Sequence, residues 1–263
     1  MRAIILAAGE GKRLRPLTNN IPKCMVKLFG KSILEHQIMT LRSCGINDIS
    51  VVTGYCKDHV DFPGIKYYHN ENFDSTNMVE TLFCAEEELE ESVIISYGDI
   101  IFEKYVLEKL LDSKHESSIM IDKNWLKYWQ IRFKNPLDDA ESLSYDENNF
   151  LTDIGRKVEN IDEISGQYIG LMKFQGNGLK FLKNFYHEFK SSSTEKYNPL
   201  NPNIEFKKSY MTDLLNGLCK KNVKLQAIFI ENGWLELDTL DDFELYQKMQ
   251  SSNALSIFYN INN

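Results

Sequence analysis

Met1-Arg2-Ala3-Ile4-Ile5-Leu6-Ala7-Ala8-Gly9-Glu10-Gly11-Lys12-Arg13-Leu14-Arg15-Pro16-Leu17-Thr18, followed by Pro22-Lys23 and Lys27, decides how the rest of the chain is read. Arg2–Leu6 is a compact apolar run of the length of a buried strand, bounded by Gly9. Behind it Lys12, Arg13, Arg15, Lys23 and Lys27 stand against a single acid, Glu10. Gly9 and Gly11 allow a tight turn that brings backbone N–H groups close to a ligand, and cations beside exposed amides suit a polyphosphate. A basic run can also simply face water. The P-loop pattern fails here, because Leu6 stands at its first glycine and Arg13 at its Ser/Thr position. The dinucleotide fingerprint fails too, with Leu14 at its third glycine.

Outward from this loop, Ser32 and Glu35 form a capping-box pattern, opening a helix with Ile33, Leu34, Ile38 and Leu41 on one face and its stop near Gly45. Ile49–Thr53, Ile65–His69 and Val93–Tyr97 read as strands, and Asn77 as the cap of another helix. Strand–helix alternation with apolar strands implies a mostly parallel sheet covered on both faces. Ligands then sit beyond the strands' carboxyl ends, so Gly9, Gly54 and Asp99 are expected around one crevice. Ser118–Asp122, Gln130–Phe133, Tyr168–Phe174 and Val223–Phe229 are further predicted strands, with a helix from about Asp241 to Gln250. Residues 257–263 read either as a frayed end or as a contact to a second copy in a homodimer.

The 263 residues hold 30 Lys+Arg against 38 Asp+Glu, a net charge of −8, which argues against a general nucleic-acid binder. With 43% hydrophobic residues the chain can bury a full core, yet no stretch approaches the ~20 apolar residues of a membrane span. The N-terminus lacks the length and cleavage pattern of a signal peptide, and the five scattered cysteines read as reduced thiols, so the expected compartment is the cytoplasm. Cys44 and Cys84 fall in apolar helical patterns and are expected in the core, and His36 as a satisfied helix residue.

The segment Leu6–Thr18 with Pro22-Lys23, Gly30 and Leu34-Glu35 resembles the N-terminal signature of the nucleotidyltransferases that act on sugar phosphates and related compounds. Asn72-Phe73, Thr76-Asn77 and Leu82, with Gly98-Asp99 and Leu235-Glu236-Leu237-Asp238, look like the branch typified by phosphocholine cytidylyltransferases. The resemblance implies an α/β, Rossmann-like three-layer (GT-A-like) fold with a mixed, mostly parallel sheet. It implies one domain over 1–250, an acceptor-binding insertion at about 115–165 and a tail over 251–263.

It also implies nucleotidyl transfer, with an acceptor phosphate attacking the α-phosphorus of CTP and pyrophosphate leaving. Arg13 and the Gly9–Lys12 backbone, with Glu10 and Gly11, then face the β- and γ-phosphates, and Lys23 the α-phosphate. Leu6, Ala7, Ala8, Gly9, Asn77 and Gly98 line the nucleotide site, Asn77 being a helix cap, a base reader or both. Asp99 and Asp238 would hold Mg²⁺, with Glu236 open as a third ligand and a turn role open for Asp99. Lys23, Arg13 and Asp99 are the expected catalytic residues.

For the acceptor the candidates are Trp125, Trp129, Arg132, Glu141, Lys157 and Tyr168, with Arg156 as an alternative to Lys157. Aromatics with carboxylates suit an ammonium group, although the same aromatics also read as core. A small amine- or amino-acid-type acceptor is expected: L-glutamine phosphate first, then phosphocholine or 2-aminoethylphosphonate. The product would feed surface-polysaccharide modification. The rivals are a sugar-1-phosphate nucleotidyltransferase and a non-catalytic nucleotide-binding regulatory subunit. The presence of Arg13, Lys23, Asp99 and Asp238 together speaks against the latter.

Overall fold

In the computed structural model, which describes residues 1–261, the strands are β1 (Arg2–Ala7), β2 (Lys27–Leu28), β3 (Lys31–Ser32), β4 (Asp48–Thr53), β5 (Ile65–His69), β6 (Ser92–Tyr97), β7 (Ile100–Phe102), β8 (Ser117–Asp122), β9 (Glu141–Tyr145), β10 (Leu151–Lys157), β11 (Gln167–Gln175), β12 (Gln226–Ile230) and β13 (Trp234–Glu236). The helices are α1 (Ile33–Ser43), α2 (Met78–Phe83), α3 (Lys104–Asp112), α4 (Trp125–Arg132), α5 (Gly176–Ser192), α6 (Met211–Lys220) and α7 (Leu240–Ser251). The main sheet runs β12–β8–β11–β6–β1–β4–β5. It is parallel except for β11, which lies antiparallel to both β6 and β8.

The apolar run of β1 explains the three layers. Successive side chains of a strand point to opposite faces. Ala3, Ile5 and Ala7 join one core with Ile33, Leu34, Ile38 and Leu41 of α1, while Ile4 and Leu6 join the other with Val79 and Leu82 of α2. Each such side chain, fully buried, contributes ~1.5–3 kcal/mol, so β1 holds both layers at once. The Ser32 cap is present, its Oγ accepting from Glu35 N at 3.1 Å. From β1 the chain goes through α1 to β4 on one side, and β6 pairs on the other. That reversal of strand order leaves a crevice at the carboxyl ends of β1 and β6. Gly98 is required there: it donates to Leu6 O at 2.9 Å, and a Cβ would lie 2.5 Å from that oxygen.

Several expectations are corrected. Gln130–Phe133 is not a strand; residues 130–132 end helix α4, and Phe133 follows it. Trp125, Tyr128 and Trp129 recur at helical spacing and are buried, so packing overrides the β-preference of aromatic residues. Cys84 is exposed at the end of α2 and Cys44 only half-buried, so neither is a core residue. Of 115–165, β8 belongs to the main sheet, and the β9–β10 hairpin forms a separate two-stranded sheet.

From Ala254 to Ile261 the chain packs on its own domain rather than fraying. Leu255, Phe258 and Tyr259 are buried, Gly233 N donates to Phe258 O at 2.7 Å and Asn260 N to Glu103 Oε1 at 2.8 Å. Asn262 and Asn263, the end of the predicted tail, lie outside the described residues. Phe258→Ala is therefore expected to lower the unfolding free energy by ~3 kcal/mol in urea denaturation, where a frayed residue would change it by under ~0.5 kcal/mol.

Candidate active site

Three turns meet at the crevice. The first leaves β1 at Ala7-Ala8-Gly9 and closes at Gly11, whose φ of +69° lies in the left-handed region; Thr18 Oγ1 donates to Gly11 O at 2.7 Å. A Cβ on Gly11 would sit 2.9 Å from Lys23 Cβ, so the glycine lets the two limbs of the loop touch. The second turn carries Asp99 between β6 and β7. The third carries Asp238 just after β13, which pairs antiparallel with β7. Leu237 N donates to Asp99 O at 2.9 Å, so both acid-bearing turns are laced together through the backbone.

Lys23 Nζ donates to Asp99 Oδ2 at 2.7 Å and also to Asp238 Oδ1, and Arg13 donates to Asp238 Oδ2 at 2.7 Å. Carboxylate oxygens of Asp99, Glu236 and Asp238 all lie within 4.8 Å of one another. Burial disfavours the ammonium of Lys23, but Asp99, Asp238 and Glu236 outweigh it and raise its pKa. Burial likewise works against the Asp238 carboxylate, and Lys23, Arg13 and Arg132 more than compensate, lowering its pKa. Glu236 has no such surplus. Burial and then Asp238 push it up to about 8, against the pull of Arg132.

Arg132 sits behind this cluster with its side chain fully buried. It donates to Glu236 Oε2 at 2.8 Å and, through Nε, to Asp242 Oδ1 at 2.9 Å. The rings of Tyr128, Trp129 and Phe133 lie 5.1–5.6 Å from its guanidinium carbon. Asp242 Oδ2 in turn accepts from the backbone N–H groups of Asp238 and Thr239. Tyr246 OH donates to Glu236 O at 2.7 Å and Glu236 N to Tyr128 OH at 2.9 Å, so the Glu236–Asp238 stretch is fixed from behind.

Two cavities open on either side of the cluster. One, of about 160 Å³, is lined by Leu6, Ala7, Ala8, Gly9, Lys23, Asn77, Gly98 and Asp99. Cys24, Phe73, Thr76, Met78 and Thr81, which the sequence reading did not assign to the site, complete it. Asn77 is indeed the cap of α2, accepting from Met78 N at 2.8 Å, and also lines the cavity. Glu10, Gly11, Lys12 and Arg13 are outside this lining; Glu10 is held by Lys12 and Arg15. The second cavity, about 240 Å³, is lined by Trp129, Glu141 and Tyr168 of the predicted acceptor set, and by Asp139, Gln167, Thr212, Glu236 and Asp238. Trp125 is in the core, Arg132 is sealed in its ion pairs, and Lys157 lies in a neighbouring outer cleft. Asp139 was visible in the sequence only as one of several acids, and nothing there singled it out.

The model of the MobA-like NTP transferase domain matches residues 3–131. Across 256 residues, 93% of this chain and 98% of the relative, the sequence is 40% identical to a CTP:phosphoglutamine cytidylyltransferase of Campylobacter jejuni. The chain belongs to the cytidylyltransferase branch of the nucleotidyltransferases. A choline-phosphate cytidylyltransferase of Streptococcus pneumoniae is 37% identical over 121 residues, 44% of this chain and 53% of that protein. The solved CTP:phosphocholine cytidylyltransferase from the same species superposes with a TM-score of 0.73 at 23% identity, covering 95% of this chain and 98% of that one, which is a likeness of fold. It fits the mixed sheet described above.

Nucleotidyltransferases generally use divalent metals, and the residues here fit one. Asp99, Glu236 and Asp238 supply converging hard oxygen donors, and Asp99 Oδ1 is buried with no hydrogen-bond partner. Removing Arg132 strands Glu236 and Asp242 as buried acids. Arg132→Met is therefore expected to cost ~3–5 kcal/mol of stability, measured by urea denaturation, and Arg132→Lys to restore only part of it because an ammonium cannot reproduce the fork.

Proposed function

We propose that this protein transfers CMP from CTP to a phosphorylated amino acid, L-glutamine phosphate, releasing pyrophosphate. The observation that carries the reading is the position of the charged cluster. Asp99 and Lys23 line one cavity, Glu236 and Asp238 line the other, and Met78 lines both. A nucleotide in the first and an acceptor in the second meet where the charge is concentrated.

The chemistry follows from that seam. An oxygen of the acceptor phosphate attacks the α-phosphorus of CTP, a new P–O bond forms, and the bond to the β-phosphate bridge breaks. Asp99 and Asp238, with Glu236, are the residues to hold Mg²⁺, which supplies charge neutralisation between the two anions. Lys23, held between those carboxylates in the free protein, turns to the α-phosphate oxygens and stabilises the charge that builds there. Arg13 and the amides around Gly9–Gly11 serve the outgoing pyrophosphate. Ala7, Ala8, Gly9, Thr76 and Asn77 frame the base, with CTP as the nucleotide.

The second cavity favours a small ligand bearing an ammonium group. Its volume of about 240 Å³ is below that of sites for drug-sized ligands. Asp139 and Glu141 line it, and among the described residues no cation is bonded to either, Asp139 accepting instead from Trp129 Nε1 at 3.1 Å. Burial, and then Asp213 and Asp139, push Glu141 up to about 7. Trp129 and Tyr168 add aromatic walls. The reduced cysteines fit a cytoplasmic enzyme that supplies a CDP-linked building block to surface-polysaccharide modification.

Pyrophosphate release from each nucleoside triphosphate with a panel of phosphorylated acceptors tests the reading. CTP with L-glutamine phosphate is expected to be fastest; a hexose 1-phosphate winning would overturn the acceptor, and UTP winning the base. Lys23→Ala is expected to lower kcat by ~10²–10³-fold, as for other losses of a transition-state donor. The Glu141 carboxyl is neutral below about 7 and charged above it. Acceptor kcat/KM should therefore rise with pH through that region, and Glu141→Gln should flatten this limb of the profile.

A further inference from the structure

Beside the acceptor cavity lies a second, larger opening of about 640 Å³ whose lining includes Asp139, Glu141 and Tyr210, residues that also line the acceptor cavity. It is walled by the end of β10, by helix α6 and by the loop at Leu200–Asn203. Asp213, Asn216 and Lys220 fall at i, i+3 and i+7 of α6, so one face of the helix turns them together toward the opening. β10 approaches that helix closely at Gly155, where φ is +87° and a Cβ would stand 2.5 Å from Thr212 Cβ. Arg156 and Lys157 follow directly on the strand.

The charges in this cleft are not equally free. Arg156 is taken by Asp153, at 2.8 Å, and by Glu163. Asp213 accepts from Tyr210 N through one oxygen and from Asn201 Nδ2 through the other. Among the described residues, Lys157 and Lys220 form no ion pair with a carboxylate. Asn216 is 9% exposed, and its Oδ1 is buried with no hydrogen-bond partner. A carboxamide oxygen only accepts, so whatever satisfies it must bring a donor, an N–H or an O–H. Two cations outside any direct ion pair, Lys220 with Asp213 and Asp153 in its wider surroundings, can take an anion, and one orphaned acceptor asks for a donor. An α-amino acid end group offers both.

We infer that this outer cleft is the subsite for the far end of the acceptor, with Lys157 and Lys220 taking its α-carboxylate and Asn216 Oδ1 accepting from an N–H of the same ligand. The inference rests on the amino-acid acceptor proposed above and deepens it: the phosphate end lies at the acid cluster, and the zwitterionic end reaches past Glu141 into the cleft. Lys157, one of the acceptor candidates from the sequence, then reads the carboxylate. A choline-type acceptor has no group for these lysines, so the cleft selects for the carboxylate.

The test is calorimetric titration of the full chain, without CTP, with L-glutamine phosphate and with its descarboxy counterpart, 4-aminobutanamide phosphate. The wild type is expected to prefer the carboxylate-bearing ligand by on the order of tenfold or more, as for a charge-assisted contact. In Lys157→Ala/Lys220→Ala that preference should collapse toward unity. Lys220→Gln alone, at an exposed helix end that leaves packing intact, should reduce it partly. Equal binding of both ligands by the wild type, or an undiminished preference in the variants, overturns the inference. A wild type that shows the preference yet releases no pyrophosphate from CTP and L-glutamine phosphate overturns the proposed reaction and leaves the cleft assignment standing.

Discussion

The Lys23 ammonium, shared between the carboxylates of Asp99 and Asp238, is the contact on which the rest of the site depends. The two acids belong to turns far apart in sequence, and at this separation in a partly buried setting their mutual repulsion would amount to several kcal/mol. The backbone has to hold them there regardless. It does so through Gly98 against Leu6 and Leu237 against Asp99, bonds that belong to the sheet and its β7–β13 extension. The fold thus pre-assembles a concentration of negative charge and parks one lysine in it. In the proposed reaction the same lysine is the group that would serve a triphosphate once the acids are neutralised by another cation. Charge balance in the free protein and the proposed catalysis in the loaded one would then use one side chain.

Arg132 makes the arrangement tolerable from the other side. A buried guanidinium is costly unless its donors are satisfied, and here Glu236 and Asp242 take three of them while aromatic rings cover its faces. Asp242 is at once the partner of Arg132, the capping acid of α7 and the acceptor for Asp238 N. Helix start, ion pair and acid placement are therefore one structure. This is why Arg132, predicted to touch the acceptor, instead lies sealed behind the residues that do line the cavity.

How much of this was legible in the sequence varied with the locality of the signal. The apolar run of β1, the Ser32 cap and the glycine-hinged basic loop are short-range features, and each appears where its residues demanded it. Glu236 and Asp238 were readable as a pair because two residues separate same-side positions in an extended stretch. Gln130–Phe133 was misread as a strand because Ile131 and Phe133 alternate with polar residues there; only the i, i+3, i+4 placement of Trp125, Tyr128 and Trp129 just before it identifies a helix buried on that face. The partnership of Arg132 with Asp242, 110 positions apart, has no local signature at all. The same holds for the closeness of Asp139 to Trp129 and for the cleft between β10 and α6, both of which arise only when separate segments pack.

The two halves of the site are also built under different constraints. The cavity proposed for the nucleotide is made of strand ends in the parallel part of the sheet, where Ala7, Ala8, Gly9 and Gly98 form the wall and a Cβ at Gly98 collides with the neighbouring strand. Little can change there without moving β1. The second cavity, proposed for the acceptor, is made by side chains on α4, the β9–β10 hairpin, β11 and α6, and that hairpin forms its own two-stranded sheet, tied to β12 by the Phe150–Gln226 bridge and the backbone bonds beside it. Its residues can be exchanged without breaking the register of the main sheet. The region that the family pattern covers, residues 3–131, ends before the hairpin begins. A fold divided in this way keeps the strand-end crevice fixed while the charge and shape of the second cavity are free to vary, so under the proposed function acceptor identity would be set by residues such as Glu141 and Lys157 rather than by the glycine-hinged basic loop.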